Sequence, residues 1–197
     1  MEIKQKACGA YGTNCYIVSI DGKDLIIDPG MDSYQWVISK VKNPIAILNT
    51  HGHFDHVWGN QALVQEFSIP LYAPKDDIFM LENDPFSQGT PASHADVIVE
   101  GNATFDIQDI MVRFFHFPGH TPGCSAILIE NKLFSGDFIF KNSIGRFDFP
   151  YSSATLMRQS LEKFLKIEDD WGIFPGHGES TSVRIEQKNI PYWFNYL

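Results

Sequence analysis

The segment 49–60, NTHGHFDHVWGN, opens at the end of the apolar run IAILNT (45–50) and holds His51, His53, Asp55 and His56 within six residues. A nearly continuous apolar run of that length reads as a strand buried on both faces. The stretch VWGNQALVQEF (57–67) has helical spacing, so the local order is strand, loop, helix. His51 and His53 are two apart. On extended backbone their side chains leave from one face, whereas in a helix they would diverge by about 200°. Asp55 and His56 are adjacent and point in different directions, so one loop can serve two centres. Zinc takes about three or four protein ligands per ion. The loop cannot complete a site alone, and the fold has to deliver further ligands to the end of this strand.

Candidates stand downstream at the ends of other apolar runs. His120 lies in FPGHTPGC, Asp137 in FSGDFIF and His177 in FPGHGE, each directly after a glycine that lets backbone approach a site closely. Around them the sequence predicts strands at CYIVSI (15–20), DLIIDPG (24–30), DVIVE (96–100), ATFDI (103–107), MVRFFHF (111–117), CSAILIE (124–130), KLFSGDFIF (132–140) and WGIFPGHGE (171–179). Helical spacing occurs in YQWVISKV (34–41) and most clearly in SATLMRQSLEKFLKI (153–167). The polar middle (75–96), with DDIFMLEND, reads as a helix and a surface excursion. Two clusters of strands, each with helices, predict a mixed α/β layer structure forming a single domain over 1–197.

Charge and cysteine usage narrow the partners. A formal net charge of −9 with no basic run disfavours nucleic acid. No apolar run approaches the roughly 20 residues of a membrane span, and MEIKQKACGAYG lacks the apolar core of a secretory signal. Cys8, Cys15 and Cys124 are odd in number and form no CxxC pair, which suits a reducing compartment and small buried roles. A cytoplasmic location is the expectation, with the oligomeric state, monomer or homodimer, left open. His94 reads as a surface residue. His116, four before His120, reads as a core residue or as one that orients the ligand loop.

IIDPG, THGHFDH, PGHTPG, SGD and PGHG, in this order across nearly the whole chain, resemble the metallo-β-lactamase-fold hydrolases. The resemblance implies an αββα sandwich, two mixed sheets flanked by helices, with metals at one edge. It implies one cation held by His51, His53 and His120, and a second by Asp55, His56 and His177. Asp137 would bridge them, and Asp55 and Asp137 would be the catalytic carboxylates. The ions would be divalent, zinc first, with iron or manganese as alternatives. Binding to such an ion lowers the pKa of water from about 15.7 to about 7, roughly 12 kcal/mol of differential stabilisation. The resulting metal-bound hydroxide would attack a carbonyl carbon of a small-molecule thioester or ester.

Within that family an aspartate at position 137 argues against true β-lactamases, which generally carry cysteine there, and His53 argues against the diiron flavoproteins. SIGRFDFP (143–150) is similar to the Gly-Arg-x-Asp segment of the short-form glyoxalase II group, the hydroxyacylglutathione hydrolases, and of the related persulfide dioxygenases. Arg146 would pair with Asp148 to shape the loop, or meet a substrate carboxylate. Only 20 residues follow His177, whereas long-form glyoxalase II adds a helical C-terminal domain. The expected function is a binuclear zinc thioesterase. The alternatives are a mononuclear iron persulfide dioxygenase using His51, His120 and Asp137, and a metallohydrolase of another ester or lactone.

Overall fold

The computed structural model describes residues 1–197. Two six-stranded sheets lie face to face. In the first, β1 (Glu2–Cys8), β2 (Thr13–Ile20), β3 (Lys23–Ile27), β4 (Pro44–Leu48), β5 (Leu71–Pro74) and β6 (Val97–Val99) follow one another in sequence order. The β1–β2–β3 part is antiparallel, and β3, β4, β5 and β6 run parallel. The second sheet contains β7 (Ala103–Ile107), β8 (Ile110–His116), β9 (Ser125–Ile129), β10 (Lys132–Gly136), β13 (Gly172–Pro175) and β14 (Thr181–Ser182), in the order β14-β13-β10-β9-β8-β7. A short ribbon of β11 (Ile139–Phe140) and β12 (Ser143–Ile144) stands apart from both.

Three apolar layers hold this arrangement. Between the sheets, Val18, Leu25, Ile27 and Leu48 of one meet Val112, Phe114, Ile127 and Phe134 of the other. Helices α1 (Tyr34–Lys40), α2 (Phe54–Val57), α3 (Asn60–Phe67) and α4 (Ile78–Asn83) cover the outer face of the first sheet, where Val37, Val57, Leu63 and Leu81 pack on Ile26, Ile47 and Ala73. Helices α5 (Ala154–Phe164) and α6 (Val183–Trp193) cover the second, with Met157, Leu161, Phe164 and Ile190 packed on Ala126, Leu128 and Ile173. The result is the four-layer αββα sandwich. The apolar run at β4 is explained by this burial on both faces, since Ile45, Ala46, Ile47 and Leu48 are all buried.

Several boundaries differ from the sequence reading. β1 was not expected, because EIKQKAC carries charge on its exposed face; it forms by pairing with β2 in full register from Glu2–Ser19 to Cys8–Thr13. The run 132–140 breaks at Gly136–Asp137, where the backbone turns through φ +50° at Gly136. Of the run 57–67, Val57 ends α2 and the helix that follows, α3, starts only at Asn60, after a turn at Trp58–Gly59. The aromatic tail packs on its own domain, Trp193, Phe194 and Leu197 against the α5 layer, with the Arg158 guanidinium donating to the carbonyls of Phe194 and Leu197. No helix is long and apolar enough to cross a membrane.

Topology alone gathers the candidate residues. β8 and β10 each run antiparallel to β9, and β10 runs parallel to β13, so β8, β10 and β13 end on one side. His120, Asp137 and His177 follow those three ends, and the 49–56 loop follows the end of β4. Ligand sites of open α/β sheets lie outside the carboxyl ends of strands for the same reason. Here the two sheets are joined at that edge: Asn14 N–H donates to the Gly176 carbonyl at 2.7 Å, and the Tyr16 hydroxyl donates to the Pro175 carbonyl at 2.6 Å.

Candidate metal centre

All seven candidate residues converge on one point at this edge. His51, His53 and His120 form one group whose ligand-capable atoms lie within 4.8 Å of one another, and Asp55, His56 and His177 form a second. Asp137 reaches into both. Its Oδ2 is 3.4 Å from His120 Nε2 and 3.3 Å from His177 Nε2, and its Oδ1 is 3.3 Å from His56 Nε2. The extended backbone at His53 (φ −64°, ψ 141°) ends just before α2, and Asp55 and His56 lie on that single helical turn. A Cβ at Gly176 would sit 2.2 Å from Asp137 Oδ1, so the glycine before His177 leaves the space the carboxylate occupies.

Outer partners aim the imidazoles inward. His120 Nδ1–H donates to the Arg146 carbonyl at 2.8 Å, and His177 Nδ1–H to the Tyr11 carbonyl at 3.2 Å. His56 Nδ1–H donates to Asp28 Oδ2 at 3.0 Å. The Thr50 hydroxyl donates to the same Asp28 oxygen at 2.6 Å, which leaves Thr50 Oγ1 to accept from His51 Nδ1–H at 3.0 Å. In each of these four histidines Nε2 faces the cluster. Asp55 is fixed similarly, by the Thr13 hydroxyl at 2.6 Å. Partners of this kind set the tautomer and orientation of histidines that bind metals.

The donor set fits divalent cations. Only four buried side-chain nitrogen or oxygen atoms in the chain lack a hydrogen-bond partner, and three of them are His51 Nε2, His120 Nε2 and Asp137 Oδ1. Orphaned buried polar atoms are destabilising unless something satisfies them, and three pointing at one spot call for a cation. Protonation differs between the groups. Burial, together with neighbouring imidazoles, holds His51 well below the ordinary histidine range, His53 down at about 3, and His120 below normal. The first group therefore presents neutral nitrogens at neutral pH. Burial opposes charge on His56 and His177 as well, but Asp137 and Asp55 outweigh it, raising His56 well above normal and His177 to about 9. Burial raises Asp55 and Asp137, yet the neighbouring His56 and His177 win, leaving Asp55 at about 2 and Asp137 well below the carboxylate range.

A cavity of about 270 Å³ opens over the cluster, walled by Tyr11, Phe54, Phe86, Phe149 and Pro150. The Phe86 and Phe149 rings lie 5.2 and 6.1 Å from that of His53. Arg146 pairs with Asp148 through two bonds of 2.9 and 2.8 Å and stacks 4.1 Å over Phe149, so it braces the cavity wall. His94 is exposed beside Glu82, while half-buried His116 meets the Pro122 carbonyl at 2.9 Å within the His120 loop. Cys8, Cys15 and Cys124 are buried and unpaired. The sequence reading missed the outer partners. Asp28 stood in the quoted IIDPG, whereas Asp77, at the start of DDIFMLEND, the polar stretch read as a helix, is completely buried.

The metallo-beta-lactamase superfamily model matches residues 8–177. The chain belongs to that superfamily, a class of metal-dependent hydrolases. Hydroxyacylglutathione hydrolase GloC of Haemophilus influenzae is 30% identical over 199 residues, covering 93% of each chain. Among solved structures, the B3 metallo-beta-lactamase BLEG-1 superposes with a TM-score of 0.88 at 32% identity, covering 97% of this chain and 99% of that one. TTHA1623, solved in a di-iron-bound form, gives a TM-score of 0.83 at 27% identity, over 96% and 99%.

Proposed function

We propose that this protein is a binuclear metallohydrolase that cleaves thioesters of the hydroxyacylglutathione type, with zinc as its metal. The observation that carries the reading is the position of Asp137 between two three-residue groups. A structural zinc site closes with four ligands and has no use for a second group. His51, His53 and His120 would hold one cation, and Asp55, His56 and His177 the other. The cations, when bound, supply an activated water at neutral pH and polarise the carbonyl.

The chain's own residues do the rest. Asp137 and Asp55 offset part of the cations' charge, and the outer hydrogen bonds fix each imidazole so that no reorganisation accompanies reaction. The aromatic walls shield the reacting carbonyl from bulk water and hold the apolar part of the substrate. A protein nucleophile is not required: Cys124 is fully buried, and burial raises its thiol well above the ordinary range, away from the reactive thiolate. GloC, the named relative, acts on hydroxyacylglutathione by its name, which supports the thioester as substrate.

Zinc-loaded protein, with metal content measured by elemental analysis, tests the reading against S-lactoylglutathione and a panel of thioesters and esters. Two metals per chain with thioester turnover is the expected result. Two bound metals with no turnover across the panel overturns it, as does oxygen uptake with glutathione persulfide.

A further inference from the structure

Asp77 lies outside both ligand groups, just beyond the carboxyl end of β5, and its side chain is completely buried. Its oxygens accept three hydrogen bonds. Gly52 N–H donates to Oδ2 at 2.9 Å, the Thr121 hydroxyl to Oδ2 at 2.6 Å, and Gly123 N–H to Oδ1 at 2.6 Å. Gly52 separates His51 from His53, and Thr121 directly follows His120. One carboxylate thus ties together the two loops that carry the first group of histidines.

Two further observations separate this contact from ordinary packing. Asp77 has no lysine, arginine or histidine within ion-pair distance, so only neutral donors compensate its burial. An unpaired buried carboxylate is destabilising, and packing alone would be served better by an apolar residue. Both loops are also bare where they meet it: a Cβ at Gly52 would come within 2.9 Å of Asp77 Cβ, and one at Gly123 within 2.8 Å of Asp77 Cγ. The second group is held by different partners, Asp28, Thr13 and the Tyr11 carbonyl, none of which touches Asp77.

We infer that Asp77 is the positioning residue that clamps the His51–Gly52–His53 loop against the His120 loop and so sets the cation affinity of that group alone. The inference rests on the reading of His51, His53 and His120 as ligands of one cation. Their ring centroids lie 4.5 to 5.1 Å apart, and three imidazoles on two loops keep that spacing only while the loops keep theirs. Release of the clamp would let the loops part without moving His56 or His177.

The test follows the histidine imidazole resonances of full-length Asp77→Asn and Thr121→Val proteins during zinc titration against a competing chelator, with no substrate present. Asp77→Asn keeps the shape but turns an amide donor toward groups that donate. It is expected to weaken zinc at His51, His53 and His120 about 10–100-fold, the usual effect of losing an outer partner, while His56 and His177 stay within about threefold of wild type. Thr121→Val removes a single donor and leaves the carboxylate, so it carries the test if the first variant fails to fold. It is expected to weaken the same three sites about 3–10-fold. Equal weakening at both groups in the folded variants, or unchanged affinity at the first, overturns the inference. Failure of wild-type His51, His53 and His120 to respond to zinc overturns both it and the metal assignment. Zinc bound without thioester turnover counts against the hydrolase reading alone.

Discussion

Asp28 Oδ2 lies 3.0 Å from Nδ1 of His56, and through the Thr50 hydroxyl the same carboxylate also fixes His51. One buried acid therefore orients a histidine in each group. Asp28→Ala is expected to weaken both cations about 10–100-fold, in contrast to the one-sided effect of Asp77→Asn. Chelator competition on the purified variant, read by elemental analysis, checks it.

Asp137 faces three imidazoles from a single carboxyl group. Asp137→Ala is expected to reduce kcat by at least about 100-fold, because the charge linking the two groups is lost. Circular dichroism should remain that of the folded protein, since the Asp137 side chain faces the histidines and belongs to none of the apolar layers. Retained turnover would remove Asp137 from the machinery.

His177 supplies a pH dependence whose sign is fixed. Burial resists its protonation, but Asp137 and Asp55 raise it to about 9 in the folded chain. A raised histidine contributes stability that is complete below about pH 6.5 and lost as pH climbs through about 9, at most about 3 kcal/mol. Chelator-stripped protein is thus expected to unfold at lower denaturant at pH 9.5 than at pH 6, and His177→Gln to flatten the trend. Zinc displaces the proton, so the loaded protein should show little of this dependence.

Phe149 forms a wall of the cavity and is braced from behind by Arg146. Phe149→Ala is expected to raise KM about 5–20-fold with kcat changed less, because under the proposed function the ring would hold substrate without touching the reacting atoms. Arg146→Ala should shift KM in the same direction by a smaller factor. Steady-state kinetics on one thioester separates the two parameters.

Local chemistry and order were legible along the chain. The strand–loop–helix around His51–His56, the corners at His120, Asp137 and His177, and the helices at 34–40 and 154–164 follow from residue type and spacing, which act over a few neighbours. The outer partners were not legible. Asp77 lies at the start of a polar stretch that reads as a helix with nothing to mark this carboxylate as buried, and the charged face of β1 hides a strand that only pairing with β2 reveals.

By itself, then, the sequence determined which side chains are candidates to hold a cation and that each stands at the end of an apolar run. Tertiary structure decided that β4, β8, β10 and β13 end at one edge, that Nε2 rather than Nδ1 of His51, His56, His120 and His177 faces inward, and that Asp28 and Asp77 lie beneath the histidine-bearing loops. The reason is physical: register and sheet packing depend on contacts between residues far apart in the chain, and no local pattern encodes which distant carboxylate a buried N–H will meet.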